Sequence, residues 1–223
     1  MKIYPTITTL VDYNEKLKEV NTFKLEKVCV FFTGLNYKER KELLNKIKRT
    51  SIKEIPFAHI KNDMEEEELD FLIKNFKTQV FNIHTEKEYS LKYDYSKYKN
   101  LIYIENVYKA FDEEEIKNWA GICLDISHLE NDRLLRPKIC QKNIEILKRN
   151  EVGCNHISAV KDYYHLNEKG IKRYDDHLSE NLSEFDYLKN YDKQLFSNFC
   201  AIELNNSISF QLKAIDYIKK LFN

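Results

Sequence analysis

The stretch Gly121-Ile122-Cys123-Leu124-Asp125-Ile126-Ser127-His128 decides how the chain is read. Gly121 opens it, and Ile122, Cys123 and Leu124 form an apolar run with the look of a buried strand. Asp125 and His128 stand where that strand should end. A short buried run holds few polar groups, because an unpaired charge there costs several kcal/mol. A carboxylate and an imidazole three residues apart at its C-terminal end mark either a site or, in the plainer reading, a helix cap by Asp125 and a surface His128.

Similar runs recur on both sides of this stretch. Val28–Phe32, Pro56–Ile60, Val80–Ile83, Leu101–Ile104, Val152–Ile157 and Phe199–Leu204 are strand-length and mostly apolar without alternation. That is the pattern of parallel strands covered on both faces. An eighth strand has to come from the N-terminal Lys2–Thr8. The segments between read as helices: Glu39–Thr50, Met64–Phe76 with a capping-box signature at Asp63 and Glu66, Pro137–Lys148, Glu184–Phe196 after an N-cap at Ser183, and Ile208–Phe222. Thr85–Asn100 and Asn106–Ala120 are too short and irregular for more than abbreviated helices, and Lys161–Glu184 reads as a long polar loop with some helix. Strands alternating with helices predict a compact (β/α)8 TIM barrel as a single α/β domain over residues 1–223, with a doubly wound open sheet as the alternative.

Composition bounds the function. The chain has 223 residues, 43% of them hydrophobic and 32% charged, enough for one core and a solvated surface. Lys+Arg and Asp+Glu are both 36, so the neutral balance does not favour a protein that grips DNA with its whole surface. No stretch approaches the roughly 18 to 20 apolar residues of a membrane span. The N-terminus has no long apolar run of a signal peptide. The five cysteines (Cys29, Cys123, Cys140, Cys154, Cys200) show no Cys-x-x-Cys spacing, and four sit in strand-like runs, as expected of reduced core thiols in a cytoplasmic protein. With four glycines there is no phosphate-cradling loop.

Polar residues with metal-ligand chemistry follow the strands. His59, His84, Glu105 with Asn106, Asp125 with His128, His156 and Glu203 all lie at strand ends, and Asp175 and His177 stand in the late loop. In a parallel barrel these ends open on one face, where active sites are built. Taken singly, each has an ordinary reading as a hydrogen-bonded rim residue, a partner for a lysine or a helix cap, and His165 reads as loop surface. Together they do not: four carboxylates in one mouth raise each other's pKa unless cations lie between them. Histidine with carboxylate and no thiolate suits Zn or Mn, with Fe also compatible.

These residues resemble the xylose-isomerase-like TIM barrels, which include endonuclease IV (apurinic endonuclease family 2) and the sugar isomerases and epimerases. The likeness runs from Pro56 to Asn205 and is sharpest in residues 121–128, in Ile104-Glu105-Asn106 and in Asp175-Asp176-His177-Leu178. For an endonuclease IV-like member it implies up to three metal ions. One would be held by His59, His84 and Glu105, a second by Glu105, Asp125, His156 and Glu203, and a third by His128, Asp175 and His177. The isomerases keep only the second set; there Glu105 and Glu203 would move protons and His128 would contact substrate. The sequence after His156 lacks the Asn-Asp-Ser of endonuclease IV and the downstream arginine of many epimerases, for which Lys161 is the available replacement. The resemblance thus implies a metal-dependent enzyme acting on a small phosphorylated or sugar substrate, by phosphoester hydrolysis or, alternatively, by isomerisation or epimerisation.

Overall fold

In the computed structural model, which describes residues 1–167 and 169–222, parallel strands wrap into a barrel. In chain order they are β1 (Ile3–Tyr4), β2 (Thr6–Thr8), β3 (Cys29–Phe31), β4 (Phe57–His59), β5 (Val80–His84), β6 (Ile102–Glu105), β7 (Gly121–Asp125) and β8 (Val152–Ile157), with β11 (Cys200–Ile202) after a hairpin described below. Each of β2 to β7 pairs with the next, β8 pairs with β11, and β11 pairs with β1. β1 and β2 are one strand broken at Pro5, so the sheet has eight positions and the expected N-terminal strand closes it.

Proline has no N–H for a ladder, and the break needs other partners. They come from two helices, α1 (Tyr13–Thr22) and the C-terminal α7 (Ile208–Leu221). Gln211 of α7 accepts from the Thr6 N–H at 2.7 Å and donates to the Thr6 and Leu204 carbonyls, each at 3.1 Å. The Lys16 ammonium of α1 donates to Thr8 Oγ1 at 2.7 Å and to the Leu204 carbonyl at 2.6 Å.

The strands are buried on both faces, as their continuous apolar runs require. Val30, Ala58, Phe81, Ile83, Ile102 and Ile104 point outward into the core shared with α2 (Tyr37–Ile47) and α3 (Glu66–Phe76). Cys29, Phe57, Val80, Cys123, Cys154 and Ala201 fill the lower barrel interior. All five cysteines are free and buried. Among the described residues no helix is long and apolar enough to cross a membrane.

Several local expectations are corrected. Between β6 and β7 lies only the short α4 (Glu113–Ile116), and Ser96–Tyr98 is a single 3-10 turn, so the abbreviated links are as read. Residues 161–184, however, are no polar loop: β9 (Ala159–Leu166) and β10 (Lys172–Asp176) form an antiparallel hairpin, turning near Gly170 at φ 71°. The predicted helix Glu184–Phe196 is 3-10 instead, over Leu182–Asn190 and Lys193–Leu195. Asn181 rather than Ser183 caps it, because Glu184 is drawn back by Ser179, the Glu180 N–H and Lys161. The capping box of α3 is Glu65 with Glu68, since Asp63 is taken by Arg40. Two further helices precede and follow the parts read as helical: α1, and α5 (Ile126–Leu135), which leads into α6 (Pro137–Leu147). The buried face of α5 includes Ser127, His128, Glu130, Asn131 and Asp132, so an apolar 3.6-residue stripe is missing from it.

Candidate metal centre

β7 shows how the fold aims a site residue. Gly121 sits at φ 141°, where a Cβ would lie 2.9 Å from the Glu151 carbonyl oxygen. The pairing of β7 with β8 shifts between Ile122 and Cys123. Ile122 and Leu124 pack outward, Cys123 points into the barrel, and beyond the shift Asp125 lies opposite His156. Asp125 then serves both readings of the opening stretch. Its Oδ1 caps α5, accepting from the His128 N–H at 2.8 Å and from Ser127 Oγ at 2.5 Å. Its Oδ2 is buried with no partner. His128 is buried, not on the surface.

The other strands bring their polar ends to the same level. His84 is the register partner of Glu105, and His156 lies between Asp125 and Ala201, two residues before Glu203. Glu105 is the hub. Its Oε2 lies 3.5 Å from His59 Nδ1 and 3.8 Å from His84 Nε2, while Oε1 lies 3.4 Å from His156 Nδ1. His156 Nδ1 is also 3.2 Å from Glu203 Oε2. The ligand atoms of His59, Glu105 and His156 lie within 4.8 Å of one another, and so do those of Glu105, Asp125, His156 and Glu203.

These groups are buried and under-satisfied. Both ring nitrogens of His59 and of His156, Asp125 Oδ2 and Glu203 Oε2 have no hydrogen-bond partner. Buried polar atoms in native proteins rarely go unpaired, so such a concentration calls for a ligand. Burial also shapes the charges. It drives the His59 imidazole down to about 3, which keeps it neutral and able to donate a lone pair. It pushes Glu105 upward, but the His156 and His59 rings outweigh it and hold this carboxyl well below its ordinary range. Glu203 behaves likewise: burial raises it, His177 and His156 pull it back, and it falls to about 2. His156 and Asp125 go the other way: burial lowers the His156 ring but Cys123, Glu105 and Glu203 hold it well above its ordinary range, and burial raises Asp125, so a divalent cation binding here would displace a proton from His156. Buried His/Glu/Asp clusters that could hold a metal ion are thus present.

At the edge of this floor the arrangement loosens. His128 Nδ1 lies 2.7 Å from the Asn106 carbonyl oxygen, which can only accept, so Nδ1 carries the proton and Nε2 faces Asp175 Oδ2 at 3.4 Å. Asp175 is in turn held by Arg173, whose Nε donates to Oδ1 at 2.7 Å and whose Nη2 donates to Oδ2. His177 turns toward Glu203, with Nδ1 3.2 Å from its carbonyl oxygen and 4.0 Å from Oε1. His128, Asp175 and His177 therefore border the floor without closing into one tight group.

The sequence reading passed over Asn82 and Arg173, named Asn106 without a role, and misplaced His165. Asn82 of β5 donates to Glu105 Oε2 at 2.5 Å. Asn106 pairs through both ends of its amide with the Asp125 backbone, at 2.8 and 3.0 Å. Arg173 lines the mouth together with Lys61 and Lys169, whereas Lys161 does not; its Nζ lies 3.1 Å from Glu184 Oε1. His165 lies on β9 and lines the cavity, so it is not loop surface. The cavity measures about 690 Å³ and includes His59, His84, Glu105 and Glu203 in its wall, a size suited to a small molecule. Searches against protein-family models and curated proteins find nothing that matches this chain.

Proposed function

We propose that the protein is a divalent-metal-dependent phosphoester hydrolase of the xylose-isomerase-like barrels, with an endonuclease IV-like ligand set. One observation carries this reading. Glu105 presents its two oxygens to two different sets of histidines, His59 and His84 on one side and His156 on the other. A carboxylate placed in this way suits a bridge between two ions. His59, His84 and Glu105 would hold one, and Glu105, Asp125, His156 and Glu203 the other. His128, Asp175 and His177 stand where a third would complete the set, with Zn or Mn the best-matched elements and Fe compatible. Cations bound there would activate water and neutralise charge gathering on phosphoryl oxygens. The chain's own part is to fix the ligands: Asn82 on Glu105, Asn106 and Ser127 on Asp125, and Ser158 on His177.

The second reading is a sugar or sugar-phosphate isomerase or epimerase. It is favoured by Glu105 and Glu203, which approach the same His156 nitrogen at 3.4 and 3.2 Å and so could exchange protons with one substrate from two sides. Elemental analysis of protein purified without chelator separates the two. Two or three ions per chain, and loss of bis(p-nitrophenyl) phosphate turnover in His177→Ala, are expected of the hydrolase. One ion per chain, with undiminished turnover in that variant, would remove it in favour of the isomerase.

A further inference from the structure

The hairpin β9–β10 contributes more to the cavity than a wall. His165 and Arg173 are register partners on its two strands. Directly opposed residues of an antiparallel pair share a face, with Cβ atoms about 5 Å apart. Both side chains line the cavity that Glu105 and Glu203 also line. Arg173 is only 6% exposed, and Asp175 engages its Nε and Nη2. That leaves Nη1 with no hydrogen bond to any described residue. The His165 ring likewise bonds to none of them. The guanidinium lies over the Tyr108 ring, with Cζ 5.4 Å from the ring centroid. The strand itself is anchored by the Tyr174 N–H, which donates to Asn131 Oδ1 on α5 at 2.9 Å. Lys61 and Lys169 bring further positive charge to the same cavity.

A rigid guanidinium with a free edge, beside a second free N–H donor, matches the planar spacing of oxyanion oxygens. We infer that His165 and Arg173 form a phosphoryl-binding subsite on the hairpin, separate from the carboxylate-rich floor, and that the substrate is a small phosphorylated molecule anchored there while it reaches the floor. This rests on the same cavity being the active site, but it needs no metal for its own test.

The test is the affinity of the full-length chain for inorganic phosphate, measured by calorimetry as purified and again after chelation. Wild-type protein is expected to retain phosphate binding after chelation. His165→Ala is expected to weaken it about tenfold, as loss of one hydrogen bond to a charged ligand does. The His165 side chain hydrogen-bonds to no described residue, so this variant is expected to fold as wild type does; Arg173→Lys, which keeps charge but loses the fork, should weaken binding as well. Binding that disappears with the metal, an unchanged affinity in His165→Ala, or equal binding of acetate at the same concentration would each overturn the inference. None of these outcomes alters the metal content, so a failure here is distinct from a failure of the hydrolase reading.

Discussion

Two buried polar networks lie a short way apart in this barrel, and they are built on opposite terms. In the first, Arg40 is fully buried, yet its guanidinium is saturated: Nε and Nη2 meet the Glu68 carboxylate at 2.8 and 2.9 Å, and Nη1 meets the Leu35 carbonyl and Asp63 at 3.1 and 3.0 Å. In the second, His59, Asp125, His156 and Glu203 retain buried atoms with no partner. A closed network ties loops together and asks for nothing further. An open one costs stability and leaves atoms free for a ligand.

The largest effect should come from the open network. Glu105→Gln is expected to reduce phosphodiester turnover by at least ~10³-fold and to shrink the rise in melting temperature on adding Zn or Mn, since bound ligand stabilises the folded state by mass action. An intact metal-dependent shift in this variant would mean Glu105 is not a ligand. In the closed network, Arg40→Met should leave metal content unchanged while destabilising the fold by ~3–5 kcal/mol in urea unfolding, because Glu68 stays buried without its counter-charge. A loss below ~1 kcal/mol would show that the two networks are not so different.

Lys16 lies between these extremes, and its effect should be the smallest. Burial drives its ammonium down to about 7, against the smaller upward pull of Glu19 and Glu203. Between that value and the ~10.5 of an unfolded lysine, the unfolded chain binds more protons, so stability attributable to this residue rises with pH. Urea unfolding of wild type and Lys16→Met at pH 7, 8 and 9 should show the difference moving in favour of wild type by up to ~1 kcal/mol per pH unit. A pH-independent difference would place the neutral amine elsewhere.

Legibility in the sequence followed burial. Apolar runs such as Val80–Ile83 and Ile122–Leu124 could be read as parallel strands because both faces are covered, and the residues following them could be set on one rim. α5 could not be read, because its inner face is polar and serves the mouth. The hairpin escaped notice for a related reason: Asp162, Tyr163 and Tyr164 are exposed in succession, so alternation fails along β9. Asn82 lay hidden in plain sight between Phe81 and Ile83. A polar residue inside an apolar run is a usable signal, but only once the inward face is known. Arg173 precedes Asp175 by two, and nothing in that spacing shows that the two would share a fork of hydrogen bonds.

The interruption at Pro5 also bears on the order of assembly. Ile3 finds its neighbour at Cys200, and Thr6 finds its amide partner 205 positions downstream. Segments far apart in the sequence must meet before the last gap is sealed. Closure of the barrel therefore waits on α7, whose Gln211 amide supplies the hydrogen bonds to Thr6 and Leu204 that the ladder lacks at the break.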